Sequence, residues 1–119
     1  MTIRVVLVDD QRLVRSGFAM LVGSQADMRV VAEAADGLVA IEVLRRIPAD
    51  VVLMDVRMPR LDGVEATRRI VAEQPEVRII GLSMHEERDM GARMREAGAA
   101  AYLHKAGPPQ WLLGAIRAG

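Results

Sequence analysis

The stretch "VVLMDVRMP" at residues 51–59 decides the fold. Its first four residues are apolar without a break, which reads as a strand covered on both faces. The run ends in one acid, Asp55, and a proline turn follows. A lone carboxylate at the mouth of a buried strand is costly unless something compensates it. The rest of the chain has to supply that compensation.

Working outward, four more β-rich runs appear: "IRVVLV" (3–8), "MRVVAEA" (28–34), "VRIIGLS" (77–83) and "AAYLHK" (100–105), with the third strand spanning 50–55. Helical spacing fills the gaps. In 11–23, Val14, Phe18, Leu21 and Val22 recur at three- and four-residue steps, with Arg12 and Arg15 facing away. In 37–47, Ala40, Ile41, Leu44 and Ile47 do the same before Pro48. Segment 62–74 opens with Asp62 and Glu65 at capping-box spacing and ends at Pro75. Segments 86–97 and 109–118 complete the pattern, the first ending at Gly98 and carrying Gly91 at its middle. Strand and helix alternate five times, which predicts an α/β, doubly wound parallel sheet with helices on both faces.

The chain has 119 residues, suited to one domain over 1–119. Sixteen basic and sixteen acidic residues cancel, so neither a nucleic-acid footprint nor an acidic tail is present. With no cysteine, disulfides and thiolate metal sites are excluded. No apolar run reaches the ~18 residues a membrane span needs. The expectation is a soluble cytoplasmic protein without a membrane partner.

Ligands of open parallel sheets bind beyond the carboxyl ends of the strands, where strand order reverses. Strand one ends in Asp9 and Asp10, strand three in Asp55, strand four in Ser83 and strand five in Lys105. If strands one and three are neighbours, three carboxylates share one space. Like charges ~4 Å apart repel by roughly 4 kcal/mol at an effective dielectric of 20. A hard divalent ion, Mg²⁺, relieves that charge through oxygen ligands, and Lys105 adds a second compensating charge. A carboxylate placed there can attack phosphorus and form an acyl phosphate. The metal, Lys105 and the Ser83 hydroxyl would then neutralise the phosphoryl oxygens.

"VDD" after strand one, "LMDVRMPRLDG" around strand three, "GLS" closing strand four and "AAYLHK" closing strand five resemble the receiver domain of bacterial two-component response regulators. "DDQRLVRSGFAMLV" and "GAAAYLHKAGPPQWLLGAIRAG" are similar to the NarL/FixJ type. The resemblance implies a flavodoxin-like (βα)5 fold with strand order 2-1-3-4-5. It implies that Asp55 accepts a phosphoryl group from a histidine kinase. Asp10 and Asp55 would bind Mg²⁺ directly, Asp9 mainly through water, and the Arg57 backbone carbonyl would be a further ligand. Lys105 would contact the phosphoryl group, and Ser83 and Tyr102 would form a switch pair. Transcription regulation would belong to a C-terminal helix-turn-helix domain absent from these residues, so DNA would be reached only through that domain. A homodimer is a further expectation, with segments 11–23, 86–97 and 109–118 as candidate faces. The protein is not expected to be an enzyme beyond its own phosphorylation and dephosphorylation.

Four positions depart from or modulate the pattern. Ala106 follows Lys105 where many receivers have proline, and a cis bond there would cost ~3–4 kcal/mol, so none is expected. Met84 is large and restricts access to Asp55. Arg57 and His85 occupy positions tied in the family to dephosphorylation. Rival readings lack a key part. An aspartyl phosphohydrolase wants an acid two residues after the nucleophile, where Arg57 stands. A nucleotide or flavin binder wants a glycine-rich loop after strand one, where "DDQRLVRSG" stands. A degenerate receiver acting only as an interaction module would lack one of five positions that are all filled here. The plainer alternatives are Asp9 and Asp10 as helix caps, Ser83 as a helix N-cap, Tyr102 as core, and His85 and His104 as exposed.

Overall fold

A computed structural model describes residues 1–84 and 89–118. The elements alternate as β1 (Ile3–Val8), α1 (Arg12–Gly23), β2 (Met28–Ala34), α2 (Gly37–Arg46), β3 (Val51–Asp55), α3 (Gly63–Glu73), β4 (Arg78–Ser83), α4 (Met90–Ala97), β5 (Ala101–His104) and α5 (Pro109–Arg117). All strand pairs are parallel, in the order β2-β1-β3-β4-β5. The expected architecture and order are both present.

Strand composition follows strand position. β3 is buried along its whole length, and β1 and β4 nearly so, because they occupy the centre of the sheet. β2 and β5 lie at the edges and are only partly covered. Alternate residues feed two cores. Val52 and Met54 of β3 face a layer with Ala40, Ile41 and Leu44 of α2, Ala66 and Ile70 of α3 and Met94 of α4. Val51 and Leu53 face the opposite layer with Val22 of α1 and Leu112 and Ile116 of α5. Burying an aliphatic side chain of this size stabilises by about 1.5–3 kcal/mol, so the two layers fix the register of β3 and with it the place of Asp55.

Local signals set the helix ends. Asp36 caps α2, accepting from the Val39 N–H at 3.0 Å, and Asp62 caps α3, accepting from the Glu65 N–H at 2.9 Å. Only half of the expected capping box forms, because the Glu65 carboxylate turns to Arg68 and Arg69. The helix expected over 86–97 is observed over Met90–Ala97, and residues 86–88 lie outside the described residues. Gly91 is therefore in the first turn, where the interior-helix penalty is not in force, and not in the middle as the sequence suggested. Its buried face is Met90, Met94 and Ala97. Every described peptide bond is trans, Lys105–Ala106 included. Among the described residues no helix is long and apolar enough to cross a membrane.

Candidate phosphoacceptor and metal site

Strand register builds the site. Val8 pairs with Met54, so Asp9, one residue past β1, comes alongside Asp55 at the end of β3. Asp55 pairs with Leu82, so Ser83 sits one step further along β4. Ser83 pairs with His104, and Lys105 follows directly. Four chemically active residues from four strands thus meet at one edge, where the chain order reverses between β1 and β3.

Asp9, Asp10 and Asp55 each offer a carboxylate oxygen within 4.8 Å of the others. Asp9 and Asp55 are buried, 3% and 5% exposed, whereas Asp10 faces solvent. Lys105 Nζ lies 2.6 Å from Asp9 Oδ2 and 3.2 Å from Asp55 Oδ1, bridging the two buried acids. Asp9 Oδ1 also accepts the Gln11 N–H at 2.9 Å. The Arg57 N–H points at Asp55 Oδ1 from 3.4 Å, too long for a strong bond. A cleft of ≈ 210 Å³ opens over these groups, lined by Asp10, Gln11, Asp55, Arg57, Ser83, Met84 and Lys105.

The electrostatics follow from that geometry. Burial raises the Asp55 pKa, the Asp9 charge adds to it, and Lys105 and the Arg57 N–H only partly offset them, leaving it at about 6. Burial would lower the Lys105 pKa, but hydrogen bonding to Asp9 and the charges of Asp55 and Asp9 outweigh it, so it is raised. Lys105 pairs with two of the three carboxylates, Asp9 and Asp55, so among the described residues carboxylates outnumber the ammonium between them.

The plainer readings of these acids are not what the structure shows. Gln11, with no side-chain cap bond, is the N-cap of α1, and the Asp9 carboxylate accepts from the Gln11 N–H and pairs with Lys105. Ser83 ends β4 and is buried, whereas Asp89 is the N-cap of α4. Tyr102 is half-buried, with its hydroxyl sealed from solvent and without a hydrogen-bond partner among the described residues. Two glycines make room for its ring: a Cβ on Gly81 would stand 3.1 Å from Tyr102 Cδ1, and one on Gly91 3.3 Å from Cδ2. Tyr102 therefore lies behind the cleft, against α4. Met84 is half exposed and lines the cleft. His85 lies outside the described residues.

The fold and the arrangement of acids, serine and lysine can be compared with known proteins. The family model for the response regulator receiver domain matches residues 5–117. The chain belongs to the response regulator receiver domain family. It is 44% identical to "Response regulator UvrY" of Escherichia coli strain K12 over 115 residues, covering 97% of this chain and 53% of that protein. A crystal structure of a two-component response regulator of the LuxR family from Aurantimonas sp. SI85-9A1 superposes with a TM-score of 0.94 at 38% identity, covering 99% of this chain and 84% of that one. The signal receiver domain of the putative response regulator NarL from Mycobacterium tuberculosis gives 0.90 at 29% identity, covering 99% and 98%. The receiver chain spans about half the length of the curated relatives it matches.

Three features of this receiver were missed from sequence. Arg15 does not face away: its side chain folds back, donating to the Asp9 carbonyl at 2.5 Å and to Glu33 at 3.2 Å. His104 is exposed as expected, but both ring nitrogens are engaged. Nδ1 accepts the Ala106 N–H at 3.0 Å and Nε2 lies 2.9 Å from the Met84 carbonyl, joining the chain after Ser83 to the chain after Lys105. Arg60 reaches across to Asp36. The pairings of Arg15 with Glu33, His104 with the Met84 carbonyl and Arg60 with Asp36 span segments 18 to 24 residues apart, and no periodicity signals them.

Proposed function

We propose that this receiver is a phosphorylation-activated switch, with Asp55 taking a phosphoryl group from a histidine kinase in a Mg²⁺-dependent reaction. A carboxylate oxygen of Asp55 attacks phosphorus. The P–N bond of the kinase phosphohistidine breaks, and the electron pair leaves with the imidazole nitrogen. The observation that carries this reading is the excess of carboxylate over cation at the cleft, with Asp55 held at its floor by Lys105.

The residues present fit a hard divalent ion. The donors are all oxygen and lie close together, and one of them, Asp10, faces solvent and the cleft. Asp10, Asp55 and the Arg57 carbonyl would hold the ion directly. Asp9, already committed to Lys105 and Gln11, would contribute through water. When bound, Mg²⁺ neutralises the carboxylates and the incoming phosphoryl oxygens. Lys105 holds the Asp55 carboxylate in place and then faces the phosphoryl group. The Ser83 hydroxyl donates to a phosphoryl oxygen.

Moving a switch from 1:99 to 99:1 takes roughly 5.5 kcal/mol, and a hydrogen bond to a charged group supplies about 1.5–3 kcal/mol. Two new contacts, from Ser83 and Lys105, come close to that amount. Ser83 moves inward, and Tyr102, whose ring rests on Gly81 and Gly91, passes the movement to α4. The state goes on to a DNA-binding output domain that regulates transcription, in the cytoplasm, with a homodimer as the working form. The only chemistry is the domain's own phosphorylation and dephosphorylation. Acetyl phosphate with Mg²⁺ tests the core of this reading. Intact-mass spectrometry should show a phosphoryl adduct of ~80 Da on the wild type and none on Asp55→Asn. An adduct on the variant, or none on either, refutes it.

A further inference from the structure

The loop between β3 and α3, residues 56–62, carries Arg57 past the cleft and is held by contacts that lie outside it. Arg60 is the one non-glycine among the described residues with a left-handed φ, at 65°. An L-residue there is disfavoured and persists where its surroundings over-determine it. Its guanidinium crosses to the N-terminus of α2, with Nε 3.0 Å and Nη2 2.5 Å from Asp36 Oδ2. Asp36 is itself buried, 7% exposed, and its other oxygen caps the helix through the Val39 N–H at 3.0 Å. The two backbones meet at the same place: a Cβ on Gly37 would lie 2.7 Å from the Leu61 carbonyl oxygen. At the far end of the loop Gly63 donates to the Val56 carbonyl at 3.0 Å, and a Cβ there would stand 2.2 Å from the Asp55 carbonyl oxygen. The loop is thus fastened to β3 at one end and to α2 near the other.

We propose that Asp36 and Arg60 are a positioning pair that aims the 56–62 loop, so that the Arg57 carbonyl and the Asp55 carboxylate face one ion together. The inference rests on the phosphoacceptor reading above and names residues that act on the site through the loop alone. A carboxylate buried at a helix N-terminus is satisfied by the Val39 N–H and the helix end. The arginine adds a cross-link between two segments 24 residues apart. It does so from a backbone conformation that costs energy, where a glycine would cost less.

Two variants separate the cross-link from local structure. Arg60→Asn keeps a residue that tolerates left-handed φ. Asp36→Asn keeps an oxygen for the Val39 N–H. Mg²⁺ is titrated into the wild type, both variants and the double variant, following the backbone ¹⁵N–¹H resonances of Asp10, Asp55 and Arg57. Each variant should bind Mg²⁺ about 10-fold more weakly, the size of effect usual for groups behind a metal ligand. The double variant should be no weaker than either single one, because the pair acts as a unit. Arg60→Lys, which keeps a cation, should recover part of the affinity. Wild-type affinity in all variants, with only a lower melting temperature, overturns the positioning role and leaves the phosphoacceptor reading intact. No Mg²⁺ binding by the wild type overturns both. If Asp36→Asn fails to fold, Arg60→Asn decides alone.

Discussion

Replacing Asp55 by asparagine should make the metal-free protein more stable. The carboxylate is disfavoured in the folded state: burial and the neighbouring Asp9 raise its pKa from 3.8 to about 6. A folded-state pKa above the unfolded one means that the native protein holds the proton more tightly. Wild-type stability is therefore lost as pH rises from the unfolded value toward the folded one, and the whole penalty is present above it. That difference in pKa corresponds to ~3 kcal/mol. The cleft is open to water at its mouth, and screening there reduces this to about 1–2 kcal/mol. Asparagine mimics the protonated acid in shape and charge and leaves Lys105 paired with Asp9 at 2.6 Å. In a domain of this size the gain is roughly 4–8 °C in melting temperature. The assay is thermal unfolding by circular dichroism across a pH series, in chelator and again in Mg²⁺. The variant should be more stable at pH 7.5 in chelator, and the gap should close as pH falls below the unfolded value of 3.8. Saturating Mg²⁺ should raise the wild type by about 2–3 kcal/mol and the variant by less, closing the gap. A variant no more stable at pH 7.5, or a gap that persists at low pH, would refute the account of Asp55 as a strained carboxylate.

Other substitutions probe separate parts of the account. Lys105→Met removes the one cation shared by two buried acids, and should destabilise by about 3 kcal/mol at neutral pH in urea titrations, with Mg²⁺ restoring much of the loss. Thr67 is fully buried on α3 with a hydroxyl that has no partner, so Thr67→Val should stabilise by about 1 kcal/mol in the same assay. Gly63→Ala forces a Cβ to within 2.2 Å of the Asp55 carbonyl oxygen; it should lower stability by 2 kcal/mol or more, an estimate of about the size usual for backbone clashes, and weaken Mg²⁺ binding measured by calorimetry. Hydrogen exchange across 84–98 should change on addition of a phosphoryl mimic, and equal protection in both states would remove the proposed route through Ser83 and Tyr102.

Much of this receiver was legible because parallel sheets are simple objects. The unbroken apolar runs of β1, β3 and β4 announced central strands, and the weaker runs of β2 and β5 proved to be edges. Once all strands point one way, their carboxyl ends share one edge. Asp9, Asp10, Asp55, Ser83 and Lys105 could then be named from strand ends alone, and register does bring them together. What the sequence hid were side chains that cross between loops. Arg15 looked like a solvated helix residue because its periodicity placed it off the apolar face, yet a long side chain can fold back to the Asp9 carbonyl. His104 and Arg60 act through backbone atoms and a helix cap whose positions depend on where each loop lies. Gly91 read as the middle of a helix; it is a place for the Tyr102 ring at the start of a shorter one.

The central claim is that Asp9, Asp10 and Asp55 gather around a divalent cation and leave Asp55 to take up phosphorus. A crystal structure of the receiver with Mg²⁺ and beryllium trifluoride, a phosphoryl mimic, examines it most directly. The account predicts the beryllium on an Asp55 carboxylate oxygen, with Mg²⁺ held by Asp10, Asp55 and the Arg57 carbonyl, and Lys105 and Ser83 on the fluorides. Beryllium bound to Asp10, or a metal remote from all three acids, would contradict it.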